Sequence, residues 1–146
     1  MIIAHRGNLT GPKPERENSP DYIMEALVEG FDVEIDVWFT GGKFLLGHDK
    51  AQYEIHPGFL KNDKLWCHAK TPKTFYKLLE LGTVCFFHDT DHVTLTSNGY
   101  LWTYPGIELT PRSICVMPPD EHYRFDCSGI CTDYAKKVRN DAGNKK

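Results

Sequence analysis

Two acidic residues one position apart, Glu34 and Asp36, and two histidines that each close a short apolar run, His5 and His48, carry the clearest chemistry in this chain. In Val33-Glu34-Ile35-Asp36-Val37-Trp38 apolar and acidic side chains alternate, so both carboxylates fall on one face of an extended strand. Oxygen donors at that spacing suit a hard divalent cation. The alternative is a solvated strand face whose acids pair with lysine or arginine. Two carboxylates on an inward face are costly to bury unpaired, which favours the cation. Histidine titrates near neutral pH, so His5 and His48 could act together as acid and base, or each be a hydrogen-bonded structural residue. Arg6 offers a planar fork for phosphate and Lys70 a compact positive charge; both could instead pair with Glu34 or Asp36.

These residues need elements to hold them. The apolar run over 2–4 reads as a buried strand ending at His5-Arg6-Gly7. After a polar loop, Ser19 is a good N-cap and Pro20 suits the first helical position. Ile23, Ala26 and Leu27 then recur at helical spacing up to Gly30, which predicts a helix over 20–29. The alternating strand over 33–38 leads through the turn Thr40-Gly41-Gly42-Lys43 into a second apolar run over 44–47, which ends at His48-Asp49. A strand over 65–70 places Trp66, His68 and Lys70 on one face. Thr71 and Pro72 open a second helix with Phe75, Leu78 and Leu79 on its buried stripe, and Gly82 closes it.

Further strands follow over 84–87, running into His88-Asp89, and over 93–96 and 100–104, which flank the hairpin signal Asn98-Gly99. The last two are over 114–117, stopped by Pro118-Pro119, and over 130–134. Strands and helices alternate in the first half, which reads as α/β with parallel pairing; the second half is rich in strands and poor in helices. Polar groups sit repeatedly where strands end, the edge on which α/β folds build sites.

A length of 146 residues bounds the chain to one domain, taken as 1–135, followed by a basic tail over 136–146 expected to be a short helix that frays. With 17 basic against 20 acidic residues the charge is −3, which argues against a nucleic-acid partner by bulk charge. No apolar run approaches the roughly 18 residues of a membrane span, and Met1 to Arg6 is too short and polar for an export signal, so a cytoplasmic location is expected. Five cysteines, an odd number, read as reduced thiols. Cys67, His68, Cys85 and His88 fit no familiar zinc spacing. Trp66, Trp102 and Tyr104 fill a core or line a binding mouth, and core filling is the preferred reading.

The order His5-Arg6-Gly7, Glu17-Asn18, Glu34-x-Asp36 and His48-Asp49 resembles the opening of glycerophosphodiester phosphodiesterases, of the wider phosphatidylinositol-phospholipase-C-like phosphodiesterase superfamily. Trp102-Thr103 and Gly129-Ile130-Cys131-Thr132-Asp133-Tyr134 resemble later segments of the same family. The resemblance implies a TIM-type (βα) barrel that hydrolyses a glycerol-type or related phosphodiester. It implies His5 and His48 as general acid and base, and Glu34 and Asp36 as ligands of Ca²⁺ or Mg²⁺. Arg6, supported by Asn18 and Lys70, would bind the substrate phosphate.

This chain departs from the family in two places. Where the family has Glu-x-Lys, this sequence has His68-Ala69-Lys70, so His68 takes the third ligand position and softens the site. A full barrel takes about 250 residues, so this one is expected to be reduced, with loops or hairpins replacing several helices, and uncovered strands would favour a homodimer. Two other functions compete: a catalytically weakened phosphate- or ligand-binding barrel, and a lyase that forms a cyclic phosphate on the same fold.

Overall fold

The structure, a computed structural model, describes residues 1–124 and 126–144. Its elements in chain order are β1 (Ile2–His5), α1 (Pro20–Val28), β2 (Asp32–Thr40), β3 (Lys43–Leu46), β4 (Tyr53–Ile55), a 3-10 turn (Pro57–Lys61), β5 (Leu65–Ala69), α2 (Pro72–Leu81), β6 (Cys85–Phe86), β7 (Val93–Leu95), β8 (Leu101–Thr103), β9 (Ser113–Val116), β10 (Gly129–Thr132) and α3 (Ala135–Asn144).

Among the described residues ten strands form one curled, mixed sheet, a half-barrel. At its centre β8, β9, β10, β1, β2, β5 and β6 lie side by side and parallel. β3 and β4 continue antiparallel from the far end of β2, and β7 folds back antiparallel on β8. β2 is long enough to hold β1 along its first residues, β3 along its last, and β5 between Val33 and Val37. Its two acids therefore sit at the middle of the sheet. Hydrogen bonds from Ser97 N–H to the Cys85 carbonyl, from Cys85 N–H to Ser97 Oγ and from Thr94 Oγ1 to the Phe87 carbonyl draw the β7 end toward β6.

The expected reduced TIM-type (βα) barrel, with loops or hairpins in place of several helices, is not what the chain forms. Its sheet is mixed rather than all-parallel, and among the described residues only three short helices of 9, 10 and 10 residues accompany it. Two helices make strand-to-strand crossovers, α1 between β1 and β2 and α2 between β5 and β6. The physical reason is material: a chain of 146 residues that spends segments on the β2–β3–β4 and β7–β8 hairpins has too few left for eight covering helices.

The helices form where the sequence prepares them. Ser19 accepts from the Tyr22 N–H at the start of α1, Thr71 accepts from the Thr74 N–H at the start of α2, and Gly82 ends α2 in a left-handed conformation, φ 77°. On α2 Leu78 is buried and Phe75 packs against the same core, as expected; Thr74 is buried beside them, while Leu79 turns to solvent. α3 begins at Ala135 and is anchored by buried Ala135 and Val138, which makes most of the expected tail a docked helix. Lys145 and Lys146 lie outside the described residues.

Side-chain alternation sorts the interior into two layers. Val33, Ile35 and Val37 of β2 join Leu65, Cys67, Ala69, Leu78 and Ile23 in the cluster between the sheet and α1 and α2. Ile3, Trp66, Phe86, Trp102, Ile114, Val116 and Cys131 fill the concave side. Trp66 and Trp102, ring centroids 5.9 Å apart, are thus core fillers. All five cysteines are thiols, and Cys67 and Cys85 face the outer layer, away from His68, so no zinc cluster forms from them.

Candidate metal centre

Glu34 and Asp36 point into the concavity from β2 and are almost wholly buried, 3% and 1% exposed. His68 enters from the next strand, in register with Asp36. Each of the three presents a ligand atom, and these atoms all lie within 4.8 Å of one another. His68 Nδ1 is 3.1 Å from Asp36 Oδ1 and 4.0 Å from Glu34 Oε1.

The turn after β1 delivers His5 and Arg6 to the same place. Arg6 and Gly7 both have positive φ, 55° and 92°, and a Cβ at Gly7 would lie 2.7 Å from the Tyr22 ring, so this turn requires glycine there. Arg6 N–H donates to the Glu34 carbonyl (2.9 Å), which prolongs the β1–β2 ladder by one residue. The guanidinium then reaches across the strand ends: Nε is 3.3 Å from Asp36 Oδ2, Nη1 3.7 Å from Glu17 Oε1, and Nη2 donates to His48, 2.7 Å from its Nδ1.

His48 is set by a second glycine. Gly47 has φ 153°, and a Cβ there would collide with the Lys50 carbonyl oxygen. Its N–H donates to the Asp36 carbonyl (3.1 Å) and its carbonyl accepts from the Trp38 indole (2.6 Å). His48 is the most exposed member of the group, 42% by side chain, with Nδ1 3.4 Å from Asp36 Oδ2. Lys70 approaches from the end of β5, Nζ 3.9 Å from Asp36 Oδ1. Asn18, in the left-handed region at φ 65°, uses its whole amide on Asp36: Nδ2 donates to Oδ2 (3.0 Å) and Oδ1 accepts the backbone N–H (2.9 Å). Its side chain therefore orients Asp36.

The two acids sit in opposite electrostatic situations. Burial and the negative charge of Asp36 push the Glu34 carboxyl above its ordinary range. Burial also raises Asp36, but the imidazoles of His48 and His68 and the Asn18 amide outweigh it and hold this carboxyl well below its ordinary value. Glu34 Oε2 is buried with no hydrogen-bond partner. An orphaned carboxylate oxygen, a second carboxylate and an imidazole within bonding reach are a donor set that fits a divalent cation.

His5, Arg6, Glu34, Asp36, His48 and His68 share one cavity of about 70 Å³, completed by Trp102, Tyr104, Val116 and Met117. Its nearer histidine has a partner that the sequence reading did not single out. His5 Nδ1 donates to Asp133 (2.7 Å), which also accepts from Asn8 Nδ2 (2.9 Å), and Asn8 accepts from the Tyr22 hydroxyl (3.0 Å). His5 Nε2 is left toward Glu34, 3.7 Å away. Burial lowers the His5 pKa, but the Asp133 hydrogen bond and the charges of Glu34 and Asp133 raise it overall. Asp133 follows β10 as Arg6 follows β1 on the neighbouring strand, and that placement was its signal in the sequence. His88 and Tyr104 also reach the site, His88 stacked on His68 with centroids 4.4 Å apart.

A larger groove of about 930 Å³ between the β2–β3–β4 hairpin and α2 shares no lining residue with this cavity. Its lysines are already paired, Lys43 with Glu54 and Lys77 with Glu80, so it offers little charge for chemistry. No family model, curated protein or solved structure matches the chain. Among the described residues no helix is long and apolar enough to cross a membrane.

Proposed function

We propose that this chain is a metal-assisted phosphodiesterase acting on a glycerophosphodiester-type or related phosphodiester, a small relative of the glycerophosphodiester phosphodiesterases that its motifs resemble. The observation that carries the reading is the single cavity lined by both histidines, both acids, His68 and Arg6. Glu34, Asp36 and His68 would hold the cation, Ca²⁺ or Mg²⁺, which when bound neutralises charge on the phosphoryl oxygens and leaves positions open for substrate.

The chain's own residues supply the rest. Arg6, steadied by Glu17, and Lys70 would grip the non-bridging oxygens. His48, exposed at the mouth, would take the proton of the attacking oxygen, either water or a neighbouring substrate hydroxyl. His5, whose raised pKa favours the protonated ring, would give a proton to the leaving alcohol from Nε2, with Asp133 fixing the tautomer at Nδ1.

A second reading, a phosphate-binding protein without turnover, is favoured by one observation: Arg6, His48, His68 and Lys70 already surround Asp36. Incubation with glycerophosphocholine and with bis(p-nitrophenyl) phosphate, in Ca²⁺, Mg²⁺, Mn²⁺ or EDTA, separates the two. Turnover that needs a divalent ion and stops in EDTA is the expected result. Phosphate binding without turnover under every ion would select the second reading.

A further inference from the structure

Beyond the cation and phosphate ligands, the cavity has a second side. Trp102, Tyr104, Val116 and Met117 face the acids across it, and among these four only Tyr104 carries a hydroxyl. A cavity of about 70 Å³ is roughly two to three water volumes, room for a phosphoryl group or a small alcohol.

The Tyr104 hydroxyl is held in place. It lies 2.9 Å from His88 Nε2, while His88 Nδ1 is 3.4 Å from the Asp89 carbonyl oxygen. A carbonyl can only accept, so Nδ1 carries the hydrogen, and in the neutral ring Nε2 is the acceptor of the tyrosine proton. The His88 ring is itself clamped: it stacks on His68 at 4.4 Å and 8°, and His68 stacks on Phe86 at 5.2 Å and 1°. With its proton committed to His88 and the Trp102 indole N–H donating to it, the phenolic oxygen keeps one lone pair for a further donor inside the cavity.

We propose that Tyr104, positioned by His88, is the specificity-determining residue of this site and receives a free hydroxyl borne by the substrate's alcohol next to the phosphoester. The inference rests on the phosphodiesterase reading and narrows its substrates to small phosphodiesters that carry such a hydroxyl. The phenolic oxygen forgoes this further hydrogen bond when the substrate lacks that group, which is how hydroxyl recognition discriminates.

Tyr104→Phe keeps the ring and removes the oxygen. Two pairs of compounds test it: glycerophosphocholine against bis(p-nitrophenyl) phosphate for turnover, and glycerol 3-phosphate against methyl phosphate for calorimetric binding. The variant is expected to lower the glycerophosphocholine preference, as a ratio of kcat/KM values, by about tenfold, and the glycerol 3-phosphate preference similarly. His88→Ala, which frees the hydroxyl without removing it, shifts both ratios the same way by less, and it serves if Tyr104→Phe fails to fold. Unchanged ratios in both variants overturn the assignment. If the unaltered protein turns over neither diester, the phosphodiesterase reading falls and the binding pair alone decides: equal affinities for the two phosphates, or no binding of either, overturns the role of Tyr104.

Discussion

The two sides of the half-barrel are built differently. Where β1, β2, β5 and β6 are backed by α1 and α2, eighteen buried apolar residues pack in one cluster among the described residues. Behind β9 and β10, beneath α3 and the loops, the corresponding cluster has three, Cys115, Ile130 and Val138. The backed side holds the two longest strands, β2 with nine residues and β5 with five, and it carries the acids and His68. The other side has strands of three or four residues and supplies Trp102, Tyr104, Val116 and Met117 to the cavity. The groups proposed to hold the ion come from the helix-backed side, and the wall proposed to meet the substrate comes from the side joined by loops.

Substitutions can break this contrast or sharpen it. The largest effect belongs to His48→Ala on the backed side: turnover is expected to fall about 10²- to 10⁴-fold with the melting temperature unchanged, and undiminished turnover would remove His48 from the reaction. Next comes stability. Leu78→Ala, under the helix-backed layer, is expected to cost about 2–5 kcal/mol and lower the melting temperature by roughly 5–15 °C. Ile107→Ser, exposed in the loop between β8 and β9, should stay within about 0.5 kcal/mol. Similar losses from both would show that the two sides are equally braced.

A smaller and more local effect concerns His5 and Asp133, which join the two sides across β1 and β10. Asp133→Asn is expected to lower the His5 pKa, read from the imidazole resonances in a pH titration by NMR. The sign of the stability change follows. His5 has a raised pKa, so its stabilisation is full below about pH 6.5 and fades as pH rises through its folded value. Burial raises the Asp133 carboxyl, but its hydrogen bond with His5 and that ring's charge hold it low, so its share is present above about pH 3.9 and is lost as pH falls through its depressed value. The variant should therefore be most destabilised between those limits, and a penalty that does not vary with pH would contradict the pairing.

The sequence made the local pieces legible because they are written in local chemistry. Alternation marks β2, Ser19-Pro20 and Thr71-Pro72 mark helix starts, and Asn98-Gly99 marks the β7–β8 hairpin. The spacing of Glu34 and Asp36 and the polar strand ends were enough to assemble most of the cavity. β4 escaped notice because it has only three residues, one of them buried, and it exists through its pairing with β3. The sheet's curl and the low helix content depend on which distant strands pair and on how little chain is left to cover them. For the same reason the contacts of His5 with Asp133, and of His88 with Tyr104, were hidden, since each joins segments that only the curled sheet brings together.

The central claim is that Glu34, Asp36 and His68 hold a divalent cation, and equilibrium dialysis followed by elemental analysis tests it most directly. Dialysed against Ca²⁺, Mg²⁺ or Mn²⁺, the unaltered protein should retain one ion per chain, and a Glu34→Gln variant with an unchanged circular dichroism spectrum should retain none. Equal retention by the two proteins, or no ion on either, would contradict it.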